Sequence, residues 1–245
     1  VTNPIVVIPA RLASTRLPRK PLADIGGVPM IVRVWRQAMA AALGPVLVAA
    51  AESDIVAVIE AAGGRAVLTD PDLPSGSDRI WAALALADPE NRYDAVINLQ
   101  GDLPFIDPAD IGAAAAALRD AAAEIATLAA VIRDPAEFDN PNVVKPVVAW
   151  QGDGRRGRAL YFTRARAPWG DGDLFHHVGI YAYRRAALER FVKAEPTPLE
   201  RREKLEQLRA LELGMTIAVA RVDAVPLSVD TEDDLEKARR FSARL

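Results

Sequence analysis

Cysteine is absent from the 245-residue chain. Disulfide frameworks, zinc ribbons and thiol chemistry are therefore excluded. No uninterrupted apolar stretch approaches the roughly 20 residues that a membrane helix needs. The start, Val1-Thr2-Asn3-Pro4, lacks the charged-then-apolar profile of a signal peptide. There is no basic excess: 30 Lys and Arg stand against 33 Asp and Glu, a net charge of −3. General affinity for nucleic acid would need a basic footprint instead. Neither an internal repeat nor a linker rich in Gly, Ser or Pro divides the sequence, although its length allows one or two domains. What is present is an ordinary globular composition, 51% hydrophobic and 26% charged, too apolar for a disordered chain. The expectation is a soluble, cytoplasmic protein with no nucleic-acid or membrane partner, folded as one compact unit with a variable half.

Lysine is scarce as well, at positions 20, 145, 193, 204 and 237 only, while arginine and alanine are frequent. Genomic base composition accounts for that bias without functional demand, yet it makes Lys20 and Lys145 easier to single out.

Apolar periodicity separates the elements. Ile5-Val6-Val7-Ile8, closed by Pro9, predicts a buried strand. A helical pattern from Pro29 to Leu43 stops at Gly44-Pro45, and Val46 to Ala49 predicts the next strand. Ser53 is placed to cap a helix ending at Gly63-Gly64. Ala66 to Leu68, Ser77 to Ala87 and Ala95 to Leu99 continue the alternation as strand, helix and strand. That rhythm predicts βαβ units and a doubly wound, mostly parallel α/β sheet. An alanine-rich helix from Pro108 to about Glu124 follows, and then the rhythm changes. Apolar runs at Thr127 to Ile132, Val143 to Trp150, Arg158 to Thr163 and Val178 to Tyr183 predict a smaller mixed or antiparallel β region. Helices resume over Pro198 to Leu213, and Thr231 to Leu245 makes a terminal one.

The segment Pro9 to Leu22 places Arg11, Arg16, Arg19 and Lys20 within ten positions, beside the hydroxyls of Ser14 and Thr15. It follows the first strand, and ligands of such sheets bind beyond the carboxyl ends of strands. Prolines at 9, 18 and 21 lower the cost of ordering so long a loop. Forked guanidinium donors with a point-charge ammonium are what a polyphosphate requires; a solvated basic loop is the plainer alternative. Gly152-Asp153-Gly154-Arg155-Arg156-Gly157 satisfies G-x-G-x-x-G, but strand-like runs lie on both sides, so a hairpin turn is expected. The chain also lacks the P-loop pattern G-x-x-x-x-G-K-[ST].

Gln100-Gly101-Asp102 follows the fourth strand, and Val229-Asp230-Thr231 follows an apolar run around Val225 to Leu227. Both aspartates are read as strand-end residues able to share one crevice, and hard oxygen ligands suit Mg²⁺. Asp-Thr-Glu-Asp-Asp at 230–234 also reads as a helix cap with an acidic first turn, which by itself is the stronger reading of Asp230. In the run His176 to Tyr183, alternation puts His177, Gly179, Tyr181 and Tyr183 on one strand face. That face suits a polyhydroxylated or anionic ligand, or consists of half-buried aromatics with satisfied polar tips. Adjacent strand residues point apart, which argues against a metal held by the histidine pair. Glu206, Gln207 and Arg209 read as the solvated flank of a helix whose leucines at 205, 208 and 211 or 213 face inward. Ser75-Gly76-Ser77-Asp78-Arg79 opens another helix as a cap or an anion-binding N-terminus.

Seven segments, P-A-R-L-A-S-T-R-L-P-R-K-P-L, S-G-S-D-R, Q-G-D-L-P, N-P-N-V-V-K, H-H-V-G-I-Y-A-Y, L-E-Q-L-R and V-D-T-E-D-D-L, occur in that order. Together they closely resemble the 3-deoxy-manno-octulosonate (Kdo) cytidylyltransferase family over nearly the whole chain. The resemblance implies a nucleotide-diphosphosugar-transferase-like fold, a homodimer, and the conversion of CTP and Kdo to CMP-Kdo and pyrophosphate with Mg²⁺ for lipopolysaccharide synthesis. It implies one domain over 1–245, with a nucleotide-binding half at 1–125. A sugar-acid-binding and dimerisation part at 126–230 and a terminal helix at 231–245 complete it. Arg11 and Lys20 would hold the CTP phosphates, with Arg16 near them; Ala10 and Ser14 would bind the nucleotide, and Ser75, Ser77 and Arg79 would lie on its side of the pocket. Asp102 and Asp230 would bind the metal, and Arg11, Lys20 and Asp102 would carry the chemistry. His177, Tyr181, Glu206 and Gln207 would line the sugar-acid side, with Gln100 between the two ligands. One departure is visible: the family usually has glutamate where this chain has Leu103, so the metal site is not extended there. Rival readings are a cytidylyltransferase for another sugar acid, such as 8-amino Kdo or a sialic acid, and a nucleotide-binding regulatory module without turnover.

Overall fold

The structure, a computed structural model, describes residues 3–119 and 122–244. Val1 and Thr2 of the N-terminal reading, residues 120 and 121 of the expected alanine-rich helix, and Leu245 of the terminal helix lie outside that range. Packing divides the chain into two compact units: one holds the chain up to Gly112 and from Pro226 onward, the other Ala113–Val225.

In the first unit the apolar run Ile5 to Ile8, at most 2% exposed, is the centre of strand β1 (Pro4–Ala10). A long loop and a 3-10 turn (Lys20–Leu22) lead to a hairpin, β2 (Asp24–Ile25) and β3 (Val28–Pro29). The alternation then runs α1 (Met30–Ala40), β4 (Val46–Ala50), α2 (Ser53–Ala61), β5 (Arg65–Leu68), α3 (Gly76–Ala87), β6 (Ala95–Asn98) and α4 (Pro108–Ala117), whose residues from Ala113 belong to the second unit. The strands lie β5-β4-β1-β6, all parallel, with Val7 beside Leu47 and Val6 beside Ile97. From β1 the chain steps outward to β4 and β5, then returns past β1 to β6. Right-handed crossovers put helices of an outward and a returning path on opposite faces. Thus α1 and α2 share one face and α3 covers the other. The direction of winding reverses between β1 and β6, and their carboxyl ends diverge there to open a crevice.

The second unit is mixed, as its crowded apolar runs predict. It contains β7 (Ile125–Val131), β8 (Lys145–Gln151), β9 (Arg156–Thr163), β10 (Phe175–Arg184), α5 (Arg185–Val192), α6 (Pro198–Glu203), α7 (Gln207–Glu212) and β11 (Ile217–Val222). Their order is β10-β7-β11-β9-β8, with β7 and β11 parallel and the other neighbours antiparallel. The glycine-rich 152–157 segment turns the β8–β9 hairpin, with Gly152 and Gly154 at positive φ. Helix α8 (Glu232–Ser242) completes the first unit. Leu235 and Ala238 pack there against Leu17, Ile25, Met30 and Val229. That cluster ties the basic loop, the small hairpin and the chain end into one apolar body.

Four expectations need correction. The helix read over 198–213 breaks at Lys204, which takes a left-handed conformation (φ 56°). Arg164 donates to the carbonyls of Glu203 and Lys204 that a continuous helix would use for itself. The strand before Asp230 is β11, not Val225 to Leu227, where Pro226 lacks a ladder donor. Asp230 therefore precedes a helix rather than ending a strand. Helix α5 was not anticipated, and α4 ends at Ala117 rather than near Glu124, whose amide already bonds Thr216 O ahead of β7. Finally, Ser53 is the first helical residue of α2 rather than its cap. Glu52 precedes it, and its carboxylate is taken by another segment.

Candidate active site

The crevice between the ends of β1 and β6 is a cleft of about 400 Å³ within the first unit. Pro9, Ala10 and Arg11 enter from β1, Ser14 to Arg16 and Lys20 from the basic loop, Ser75 and Arg79 from the start of α3. Gln100, Gly101 and Asp102 follow β6, and Asp230 stands just ahead of α8. Of the residues read for nucleotide and metal, Ser77 does not line the cleft; it is buried at 2% exposure on α3. Glycine suits position 101, because a Cβ there would stand 3.0 Å from Pro9 O, a tight contact that would push the two segments apart by a few tenths of an ångström. At Gly76 a Cβ would make only ordinary contacts, with the ring of Pro9 and with Gln100 Oε1.

Charge is the organising feature. The Lys20 ammonium donates to Asp102 Oδ2 (3.1 Å) and to Asp230 Oδ1 (2.9 Å), and Arg16 reaches Asp230 at 3.4 Å. Burial opposes the ammonium charge, but the two carboxylates outweigh it and hold the Lys20 pKa above the usual lysine value. Asp102 is pushed up, by burial first and by Asp230 second, against the pull of Lys20. A cation at this point thus contacts both carboxylates at once. Among the described residues no cluster of three or more His, Cys, Asp or Glu forms a larger metal set. Two hard oxygen donors with room for water and phosphate oxygens fit Mg²⁺, which favours few protein ligands. The 230–234 segment is the helix cap with an acidic first turn that its sequence also allows, but Asp230 is not itself the cap. Thr231 is the N-cap of α8 and exchanges hydrogen bonds with Asp234, which leaves the Asp230 carboxylate to Lys20 and Arg16.

The surrounding framework is held by side chains. Leu12 N–H donates to Glu52 at the head of α2, and Arg19 pairs with Asp54 two residues further on, so the start of α2 braces the basic loop at both ends. Buried Arg79 donates to Thr69 Oγ1 and to the carbonyls of Asp70 and Pro71, fixing the segment that leads to Ser75. Ser75 caps α3 through the Asp78 amide. Gln100 Nε2 donates to buried Asn98, so its Oε1 is the acceptor left to the cleft. Leu103, which follows Asp102, is buried at 6% exposure.

The residues read for the sugar acid lie in the second unit. On β10 the rings of His177 and Tyr181 meet at 5.5 Å, and those of Tyr181 and Tyr183 at 5.8 Å. The predicted shared face therefore exists, even though the β10–β7 register skips two residues between Val178 and Tyr181. An insertion of two preserves alternation. Burial and the neighbouring His176 lower the His177 pKa to about 3, so its imidazole is neutral. Burial, Tyr183 and Glu206 raise Tyr181 well above an ordinary phenol. Glu206 is thus within electrostatic reach of this face, whereas Gln207 is a buried residue at the start of α7. Arg209, expected on a solvated flank, is buried in an ion pair with Glu200 at 2.6 Å. His176 has a different partner, Glu137 at 3.4 Å, so the two histidines do not converge. Sequence reading missed Glu52, Thr69, Asn98 and Thr127 as supports of these sites. Each is a common residue type that acts through a partner far along the chain, and no local pattern marks it.

A cytidylyltransferase family profile matches residues 5–217. The chain is 63% identical over 242 residues to the 3-deoxy-manno-octulosonate cytidylyltransferase of Parvibaculum lavamentivorans, covering 99% of this chain and 93% of that one. It is 63% identical over 239 residues to the enzyme of the same name from Methylobacterium radiotolerans, covering 98% and 96%. Among solved structures it is similar to a CMP:2-keto-3-deoxy-manno-octonic acid synthetase complexed with CTP. The TM-score is 0.90 at 38% identity, with 99% of each chain covered. A likeness this deep, running from β1 to the final helix, has one reading: the chain belongs to the 3-deoxy-manno-octulosonate cytidylyltransferase family.

Proposed function

We propose that the protein activates Kdo by transferring CMP from CTP to its anomeric hydroxyl, releasing pyrophosphate. The observation that carries this reading is the Lys20 ammonium held between Asp102 and Asp230 beside Arg11, Arg16 and Arg79. It marks a two-carboxylate cation site at the edge of a basic cleft large enough for a nucleoside triphosphate.

The chemistry asks little covalent work of the protein. The Kdo hydroxyl oxygen attacks the α-phosphorus in line, the bridging bond to the β-phosphate breaks, and the hydroxyl proton leaves to solvent. Positioning and charge neutralisation then carry the rate. Arg11 and Arg16 pair with the non-reacting phosphates, and Lys20 offsets the charge that builds on the departing pyrophosphate. Ala10, Ser14 and Ser75 hold the nucleoside end, with Arg79 and Ser77 acting through the segment and the helix that place Ser75. Gln100 offers its Oε1 to a donor on either ligand. Asp102 and Asp230 would hold Mg²⁺. When bound, the ion polarises the α-phosphate and makes the attacking hydroxyl more acidic. His177, Tyr181, Glu206 and Gln207 select the sugar acid. No helix among the described residues is long and apolar enough to cross a membrane.

His177→Ala tests the division of labour. It should raise the KM for Kdo about tenfold or more, the worth of roughly one to two lost hydrogen bonds. The KM for CTP should stay within about twofold on the same reasoning. A larger effect on CTP than on Kdo would refute the placement of the sugar acid.

A further inference from the structure

Thr127, in the middle of β7, is fully buried, and its hydroxyl oxygen has three polar neighbours. Ile180 O lies at 2.8 Å, Val178 O at 3.3 Å and His177 Nε2 at 2.9 Å. The skipped register at Gly179 and Ile180 is what brings these carbonyls to the threonine instead of to the strand ladder. A hydroxyl has one hydrogen, and carbonyl oxygens only accept. Two oxygens 2.8 Å apart in a buried place need that hydrogen between them, because an unshared contact forfeits the bond and leaves the carbonyl unpaired. The threonine hydrogen therefore goes to Ile180 O, and its lone pairs face His177. The hydrogen of the second short contact must then come from the imidazole, on Nε2. Phe162 meets the same ring edge-on at 5.1 Å and Tyr181 flanks it, which fixes the ring plane.

We propose that Thr127 is a positioning residue that locks His177 as the Nε2–H tautomer, so that Nδ1 presents a lone pair to the ligand. An acceptor nitrogen repels a carboxylate and takes a hydrogen from a hydroxyl. The group that His177 recognises is accordingly a hydroxyl of the sugar acid and not its carboxylate. The ligand half of this statement rests on the assignment of His177 to the sugar-acid site; the tautomer half rests on Thr127 alone.

The test is two-bond nitrogen–proton NMR of protein labelled with ¹⁵N-histidine, which reads tautomers directly, combined with kinetics. In the wild type, His177 should show the neutral Nε2–H pattern from pH 5 to 8, with His176 resolved separately. Thr127→Val, nearly isosteric, should mix the two tautomers and raise the KM for Kdo about tenfold, the scale of one hydrogen bond, with the KM for CTP unmoved. Thr127→Ser should restore both readouts. An Nδ1–H or imidazolium signal in the wild type would overturn the proposal without any variant. So would a Thr127→Val protein with an unchanged His177 spectrum. A tautomer that responds to Thr127→Val while the KM for Kdo stays fixed would overturn hydroxyl recognition. It would also remove His177 from the sugar-acid site, with the tautomer assignment left standing.

Discussion

Asp102→Asn should lower turnover by about 10³-fold or more while the protein stays folded. The carboxylate follows β6 at the point where the winding of the parallel strands reverses, and it already makes one charge-assisted contact, to Lys20. Asparagine keeps the shape and one acceptor oxygen, but loses the charge that would hold Mg²⁺ opposite the triphosphate. Losses of this size are typical when a group that stabilises transition-state charge is removed. Stability should change by no more than about 1 kcal/mol, since Lys20 keeps Asp230 and the partly desolvated charge of Asp102 is relieved. Steady-state kinetics at saturating Mg²⁺, with a thermal melt on the same sample, check both halves. A variant that retains a tenth of wild-type turnover would contradict the metal assignment.

Lys20→Met should be damaging in two separable ways. It removes the ammonium that neutralises pyrophosphate, which should cost about 10²-fold or more in turnover. It also leaves Asp102 without its cation partner and Asp230 with Arg16 alone. Removing one partner of a buried pair costs about 3–5 kcal/mol, but the side chains of Lys20, Asp102 and Asp230 are 17%, 26% and 39% exposed. A loss of about 1–3 kcal/mol is therefore the reasonable scale after solvent screening. Because the missing charge is what destabilises the variant, Mg²⁺ without nucleotide should raise its melting temperature more than that of the wild type. Equal responses to Mg²⁺ would mean that the two carboxylates do not form a cation site.

Strands β1, β4 and β6 could be read from the sequence because each is a short apolar run bounded by loop residues, and burial on both faces demands that composition; β5, at the edge and partly exposed, was marked by its place in the alternation. The basic loop was equally legible, since its charges are contiguous and its prolines mark its ends. Asp230 was located for the wrong local reason. The apolar residues before it looked like a strand, whereas the residue is placed by α8, whose Leu235 and Ala238 pack against Leu17 and Met30. The break at Lys204 is invisible locally, because helical leucine spacing continues through it while Arg164, forty positions away, takes the carbonyls. Thr127 is the clearest case. Nothing distinguishes a threonine in an apolar strand until a register skip on the neighbouring strand turns two carbonyls toward it. Leu103 shows the converse: the departure from the family pattern was plain in sequence, and the structure explains how it is accommodated, as a packed apolar side chain.

The most direct test is pyrophosphate release by the purified protein with CTP, Mg²⁺ and Kdo, against controls that omit each and against 8-amino Kdo and a sialic acid. The account predicts release only when all three are present, and fastest with Kdo. Release that persists without Mg²⁺, that prefers another sugar acid, or that is absent with every acceptor would contradict it.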